Sequence, residues 1–283
     1  MAKYVCLYLV LIFLLIFFGC KKNNNSTSWT LGNGFEAVES EGRDAATGLW
    51  KEIVHKKTGI HLRLIPAGEY DMGSKEGDSN CTPVHHVKIS SPFYIGKYEV
   101  TQAQWQTVMA PYNPSYWKGE NLPVDNISWK NAQEFCKKSG DGLRLPTEAE
   151  WEYACRAGSK GRWYFGNDES AMQSYAWWWW NSGSQTQPVG QKKPNAWELY
   201  DMLGNVQEWC SDSYGDDYYA ECVQGVTDPQ GPSNQAGPRV LRGGSWCYYS
   251  WGPRASDRNG EQPDYQANGS GFRVALPVVT NPQ

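Results

Sequence analysis

Two short segments near the C-terminus, Arg239-Val-Leu-Arg-Gly-Gly-Ser-Trp246 and Gly271-Phe-Arg-Val-Ala-Leu276, alternate as strands do and bracket an irregular insert crowded with Tyr, Ser, Gly, Asp and Asn. A chain that ends this way has to bury the brackets and leave the insert at its surface. Val240, Trp246, Phe272, Val274 and Leu276 are the residues expected on the buried face. Gly243-Gly244 lets the backbone approach something closely. Rigid aromatics and small polar residues form the palette of an adaptable binding surface: Cys247, Tyr248, Tyr249, Trp251, Asp257, Asn259, Asp264, Tyr265 and Asn268 are the candidate ligand-contacting residues. The plainer alternative is a loop-rich, Gly-punctuated end to a β-domain.

The other end is an export signal. Lys3 precedes an apolar run from Tyr4 to Phe18 that ends in Gly19-Cys20 and Lys21-Lys22. A small residue before a cysteine resembles a bacterial lipobox, which makes residues 1–19 a lipoprotein signal peptide and Cys20 the lipidated residue. The alternative is a retained anchor, since the run is slightly short of the roughly 20 residues that span a bilayer. Either reading puts the body outside the cytoplasm, held to a membrane. Residues 20–30 read as a flexible tether and 31–59 as an N-terminal extension.

Amphipathic aromatics dominate the body, with 15 Trp and 17 Tyr against 8 Phe. The net charge of −4 comes without a basic stripe, which argues against nucleic acid as a partner. Of eight cysteines, Cys6 falls in the leader and Cys20 at the lipidation point; no CxxC marks a zinc site, and Cys210 with Cys222 is the candidate bridge. Thr101-Gln-Ala-Gln104 and Thr147-Glu-Ala-Glu150 are capping boxes, and Ser128 caps a helix that stops before Gly140. Three helices among short strands (Leu62 to Ile65, Val84 to Ile89, Phe93 to Val100) and long loops predict an α+β fold. His85 and His86 are adjacent and cannot share one face of a strand. Four successive tryptophans, Trp177 to Trp180, cannot all enter one core, so at least one ring is expected to be exposed; packing in the core is the favoured role of the run, and a wall of the insert's face is the alternative.

Seven segments carry a resemblance: Leu64-Ile-Pro-Ala-Gly-Glu-Tyr-Asp-Met-Gly-Ser74, Phe93-Tyr-Ile-Gly-Lys-Tyr-Glu-Val-Thr101, Pro123-Val-Asp-Asn-Ile-Ser-Trp129, Leu143-Arg-Leu-Pro-Thr-Glu-Ala-Glu-Trp-Glu-Tyr-Ala154, Gly204-Asn-Val-Gln-Glu-Trp209, Arg242-Gly-Gly-Ser-Trp246 and Gly271-Phe-Arg-Val274. In this order, over roughly residues 60–277, they resemble the formylglycine-generating enzyme (sulfatase-modifying factor) family. The resemblance implies a C-type-lectin-like fold. The family's enzymes hold copper on two insert cysteines, and those positions fall here on Tyr248 and Pro253, which offer no thiolate. Cys247 lies one residue from the first, so a copper-dependent oxidase is the alternative, and no copper is the expectation. The family's iron-dependent branch needs a histidine-bearing helical bundle for which this chain has no room. The resemblance further implies a structural calcium on Asp201, Gly204, Val206 and Glu208, the alternative being that Glu208 or Asp201 pairs with a buried arginine such as Arg242.

A non-enzymatic branch of the family, the variable proteins of diversity-generating retroelements, carries mutable ligand-binding residues in the same C-terminal insert. The insert over 247–270 is similar to theirs. Mutagenesis of adenines in Asn codons yields Cys, Tyr, Asp, Asn, Ser and Gly but never Trp, Gln or Glu, so Trp251, Glu261, Gln262 and Gln266 would be fixed. The resulting expectation is a surface-displayed, non-catalytic lipoprotein that binds an unidentified protein or other macromolecular ligand.

Overall fold

The computed structural model describes residues 31–234, 236–249 and 253–278. The leader 1–19, the lipidation residue Cys20, the tether to residue 30 and Trp251 lie outside the described residues. In chain order the strands are β1 (Phe35–Ala37), β2 (Glu52–His55), β3 (Ile60–Ile65), β4 (Gly68–Met72), β5 (His85–Ile89), β6 (Phe93–Gly96), β7 (Gln207–Ser213), β8 (Val226–Thr227), β9 (Arg239–Arg242), β10 (Arg258–Glu261), β11 (Ser270–Gly271) and β12 (Ala275–Pro277). The longer helices are α1 (Gln102–Met109), α2 (Trp129–Ser139) and α3 (Glu148–Arg156).

Each helix begins where local chemistry requires. Thr101, Ser128 and Thr147 accept from the backbone N–H three residues on, and Gln104, Asn131 and Glu150 reach back to the cap N–H, so all three starts are complete capping boxes. At the other end of α3, Ala157 turns left-handed and hands the chain to Gly158.

Three small sheets share the strands. One runs β1-β2-β3-β6-β12, a second β10-β9-β7-β11 and a third β4-β5-β8. The segment read as an N-terminal extension supplies β1 and β2 to the first sheet, where Ile53 sits opposite Leu62 with both buried. The last strand closes that same sheet, Leu276 opposite Tyr94. The two brackets therefore part company. The Arg239–Arg242 bracket pairs with β7 in the second sheet, while the final residues join the first.

Two apolar clusters form the core. On one side Trp105 stacks on Phe135 at 5.5 Å and both meet Phe272 edge-on. On the other, Trp151, Trp163, Met202 and Val240 pack around α3. His85 turns inward against the Tyr219 ring, and His86 points out between Glu69 and Asp71, the alternation a strand imposes. The candidate bridge does not form. Cys210 and Cys222 are both buried free thiols, as are Cys81, Cys136 and Cys155, and burial pushes the Cys136 and Cys155 thiols up to about 12.

Asp212 is also buried, accepting from the Glu148 amide at 3.0 Å and the Ser211 hydroxyl at 2.9 Å. Burial, then the neighbouring Glu148 charge, raises its carboxyl from 3.8 to about 7. The folded state thus holds a proton that the unfolded chain releases earlier, so this group's contribution to stability is complete below pH 3.8 and is lost as pH rises through about 7. Asp212→Asn should flatten that part of the stability profile in denaturant titrations; a variant profile parallel to wild type across the window contradicts the assignment.

Candidate functional site

The first half of the insert leaves the core through Gly243 and Gly244, both with positive φ (89° and 66°). A Cβ on Gly244 would stand 2.7 Å from Pro253 Cβ and 3.3 Å from the Tyr248 ring, which is the close approach the Gly-Gly pair permits. Beyond it, Trp246 is only half-buried. Its indole N–H donates to the Asn268 carbonyl at 2.8 Å and its ring meets Trp117 edge-on at 4.9 Å. The expectation that Trp246 belongs to the buried frame is corrected: it is a hinge between core and surface, tying the two ends of the insert together.

Next to it the tryptophan run divides as strand and turn geometry demand. Asn181 closes a turn by accepting from the Trp178 N–H and donating to the Ala176 carbonyl, both at 2.9 Å. Trp178 packs on the core, Trp177 lies under the Lys192 ammonium at 3.7 Å, and the turn leaves Trp179 and Trp180 42% and 67% exposed. Both exposed rings meet Tyr249, itself 61% exposed, with centroids 5.1 and 6.0 Å away. The backbone joins in: Trp179 N–H donates to the Tyr248 carbonyl, and the Ser182 hydroxyl donates to the Trp246 carbonyl at 3.1 Å.

Of the candidate contact residues, Cys247, Tyr249, Tyr265 and Asn268 come together on this face. Cys247 is exposed, 3.3 Å from the Ser245 hydroxyl, and Tyr265 is an exposed ring on the second half of the insert. Asp264 is exposed at the margin, paired with Lys130 at 2.7 Å. Tyr248 is half-buried, its phenol held by Asn259 and pushed upward in pKa by burial.

Asp257 is a correction. It is 5% exposed, and its carboxylate accepts from the Arg254 N–H at 2.9 Å and the Arg254 Nε at 2.5 Å. Asn259, in β10 opposite Leu241, is partly exposed, on the other face of the strand from the buried Arg258. Asp257 goes inward beside its neighbour Arg258. Arg258 binds Glu148 through two N–H···O contacts of 2.7 and 2.8 Å and lies against the rings of Tyr214 and Tyr219. Residues 253–258 are thus fastened inward, and Arg242 with Glu152 completes the anchor below them. Sequence reasoning missed Arg254 and Arg258, whose partners are distant in the chain. It also missed Tyr116, 69% exposed, and Trp117; their only signal is an aromatic pair in a Pro- and Asn-punctuated loop.

The calcium candidates lie behind this face. Glu208 accepts from Arg273 Nε and Trp151 Nε1 on one oxygen and from Arg273 Nη2 on the other. Its arginine is therefore Arg273, while Arg242 is taken by Glu152. Asp201, left-handed at φ 52°, accepts from the Gly190 N–H through Oδ2, and its buried Oδ1 has no partner among the described residues. Burial raises the Asp201 carboxyl to about 6. Glu99, which sequence reasoning passed over, is fully buried and takes the Val206 N–H and the Asn205 side chain. Desolvation, then the charges of Asp201 and Glu208, drives its carboxyl well above the ordinary range. Three buried carboxyls gather around a single guanidinium. An unpaired oxygen on Asp201 and a spare acceptor site on Glu208 fit a hard cation with oxygen ligands.

This geometry agrees with comparison to known proteins. Residues 51–278 match the Sulfatase-modifying factor enzyme 1-like domain, and the chain belongs to that family; its α+β fold is the C-type-lectin-like fold of formylglycine-generating enzymes. Among its relatives, the chain is 31% identical over 282 residues to the formylglycine-generating enzyme of Streptomyces coelicolor, covering 75% of this chain and 87% of the enzyme. It is 32% identical over 264 residues to the chaperone protein LppX of Paenibacillus barcinonensis, covering 72% and 86%. Treponema denticola variable protein 1 superposes with a TM-score of 0.69 at 31% identity, over 77% of this chain and 95% of that one. PvdO from Pseudomonas aeruginosa superposes with the same TM-score at 27% identity, over 78% and 95%.

Proposed function

We propose that this chain is a non-catalytic, lipid-anchored extracytoplasmic protein that captures a protein or other macromolecular ligand, not a nucleic acid, on the face built from Trp179, Trp180, Cys247, Tyr249, Tyr265 and Asn268. One observation carries the reading: the exposed Trp179 and Trp180 are clustered against Tyr249 of the insert, on a scaffold similar to that of a variable protein. Large aromatics at the centre of a face supply most of a binding energy, and the polar residues around them adapt. Tyr248 and Pro253 stand where the copper thiolates of the enzymes would, and they favour binding over oxidation.

Diversifying positions 247–249 and 264–268 in a display library should leave melting within a few degrees of wild type and yield binders selective for different proteins. Unfolding of most library members, or copper-dependent aldehyde formation on a cysteine-containing sulfatase peptide by the wild-type chain, defeats the reading.

Calcium belongs to the same proposal as a structural ion held by Asp201, Glu208 and the carbonyls of Gly204 and Val206. At a hundredfold over its dissociation constant it would add about 2.7 kcal/mol of stability. Thermal unfolding with and without chelator checks this. An unchanged melting temperature, or an Asp201→Asn variant that still responds to calcium like wild type, removes the ion.

A further inference from the structure

We propose that a second site, apart from the aromatic face, binds a sugar bearing an oxyanion (phosphate, sulfate or carboxylate). A cavity of about 900 Å3 opens between two loops with the same Gly-Ser-Lys sequence, Gly73-Ser74-Lys75 after β4 and Gly158-Ser159-Lys160 after α3. Each loop is shaped alike. The Ser74 hydroxyl accepts from the Glu76 N–H at 3.0 Å, and the Ser159 hydroxyl from the Gly161 N–H at 3.2 Å. Arg156 spaces them, donating to the Gly73 carbonyl at 2.9 Å and the Gly161 carbonyl at 3.3 Å while its Nε holds Glu152.

Three of the cations that line this cavity are uncompensated. Among the described residues Lys75, Lys160 and Arg162 make no salt bridge, and the Arg162 Nε is buried without a hydrogen-bond partner, its guanidinium lying over the Trp163 ring. The carboxylates across the cavity, Glu69 and Asp71, are engaged by His86, and Glu69 also reaches Lys88. Only Glu76 offsets the loop cations, so positive charge is in excess on that side. The wall between is aromatic: Tyr70 and Tyr153 lie 5.2 Å apart and Trp197 meets Tyr153 edge-on at 4.9 Å.

These features demand a ligand with three properties. An oxyanion answers the unpaired lysines and Arg162. Hydroxyl donors answer Glu69, Asp71 and Glu76, which as carboxylates only accept. A ring with an apolar face answers the Tyr and Trp wall. A free inorganic anion supplies the first property alone and a neutral sugar the last two alone.

Calorimetric titration of the folded chain with glucose 6-phosphate, glucose and inorganic phosphate distinguishes these cases. Glucose 6-phosphate should bind more tightly than either other probe. The double change Lys160→Gln with Arg162→Gln should weaken it by about tenfold or more. Trp197→Ala should weaken the sugar phosphate and leave inorganic phosphate unaffected, and Lys137→Gln on α2 should change nothing. Melting curves establish that each variant is folded; Lys75→Gln, at an exposed loop position, repeats the test should the double variant unfold. Equal binding of inorganic phosphate, equal binding of glucose, or no heat from the sugar phosphate at about 10 mM overturns the proposal.

Discussion

Replacing Arg258 with alanine should destabilise the chain by about 3–5 kcal/mol, although the residue lies inside a segment that reads as a surface loop. Its guanidinium is buried. Besides Glu148, it donates to the carbonyls of Asn80 at 3.3 Å and Gly215 at 3.0 Å. Truncation strands Glu148 in the core with Tyr219 at 3.2 Å and Arg242 at 3.8 Å as its remaining partners. A buried carboxylate that has lost its bidentate cation is the costly case, because desolvation persists and the attraction that offset it is gone. Denaturant unfolding at neutral pH measures the loss. Combining Arg258→Met with Glu148→Leu should recover much of it, since a well-packed apolar pair carries no desolvation cost. An Arg258→Ala variant within about 1 kcal/mol of wild type would show that residues 253–258 are not anchored as described.

Phe272→Ala should cost a similar amount, about 3–5 kcal/mol, by a different route. The ring is fully buried between Trp105 and Phe135, and nothing around it is free to collapse into the space: Trp105 is pinned by its indole N–H to the Tyr112 carbonyl at 2.8 Å, and the Phe272 carbonyl accepts from Val100 N–H at 2.9 Å. Trp246→Ala, at the other bracket, should cost clearly less because its ring is partly exposed; its larger effect should be to loosen Asn268 and so the proposed binding face. Equal losses at the two positions would mean that Trp246 is core after all.

These contrasts mark how far the sequence could be read. Capping boxes at Thr101, Ser128 and Thr147 are legible because every atom of the signal lies within four residues. The opposite fates of His85 and His86 follow from strand geometry alone, and the exposure of part of the Trp177–Trp180 run follows from counting directions. The caps placed the helices, and the family resemblance placed the Asp201–Glu208 segment. Chemistry supplied by local spacing or by a motif was available before any coordinates.

Partners distant in the chain were not. Asp257 has the composition of a display loop, yet it is buried on Arg254, and the adjacent Arg258 reaches Glu148, 110 positions away. Glu208 could have met either of two buried arginines, and only the crossing of the second sheet under the last bracket chose Arg273. Cys210 and Cys222, twelve residues apart, are both buried and are not bonded to each other. The sequence by itself determined the elements, their caps and the family of the fold. Which half of the insert is exposed and which is anchored was decided by tertiary structure, because ion pairing and burial are set by distance in space, which alternation and composition do not encode.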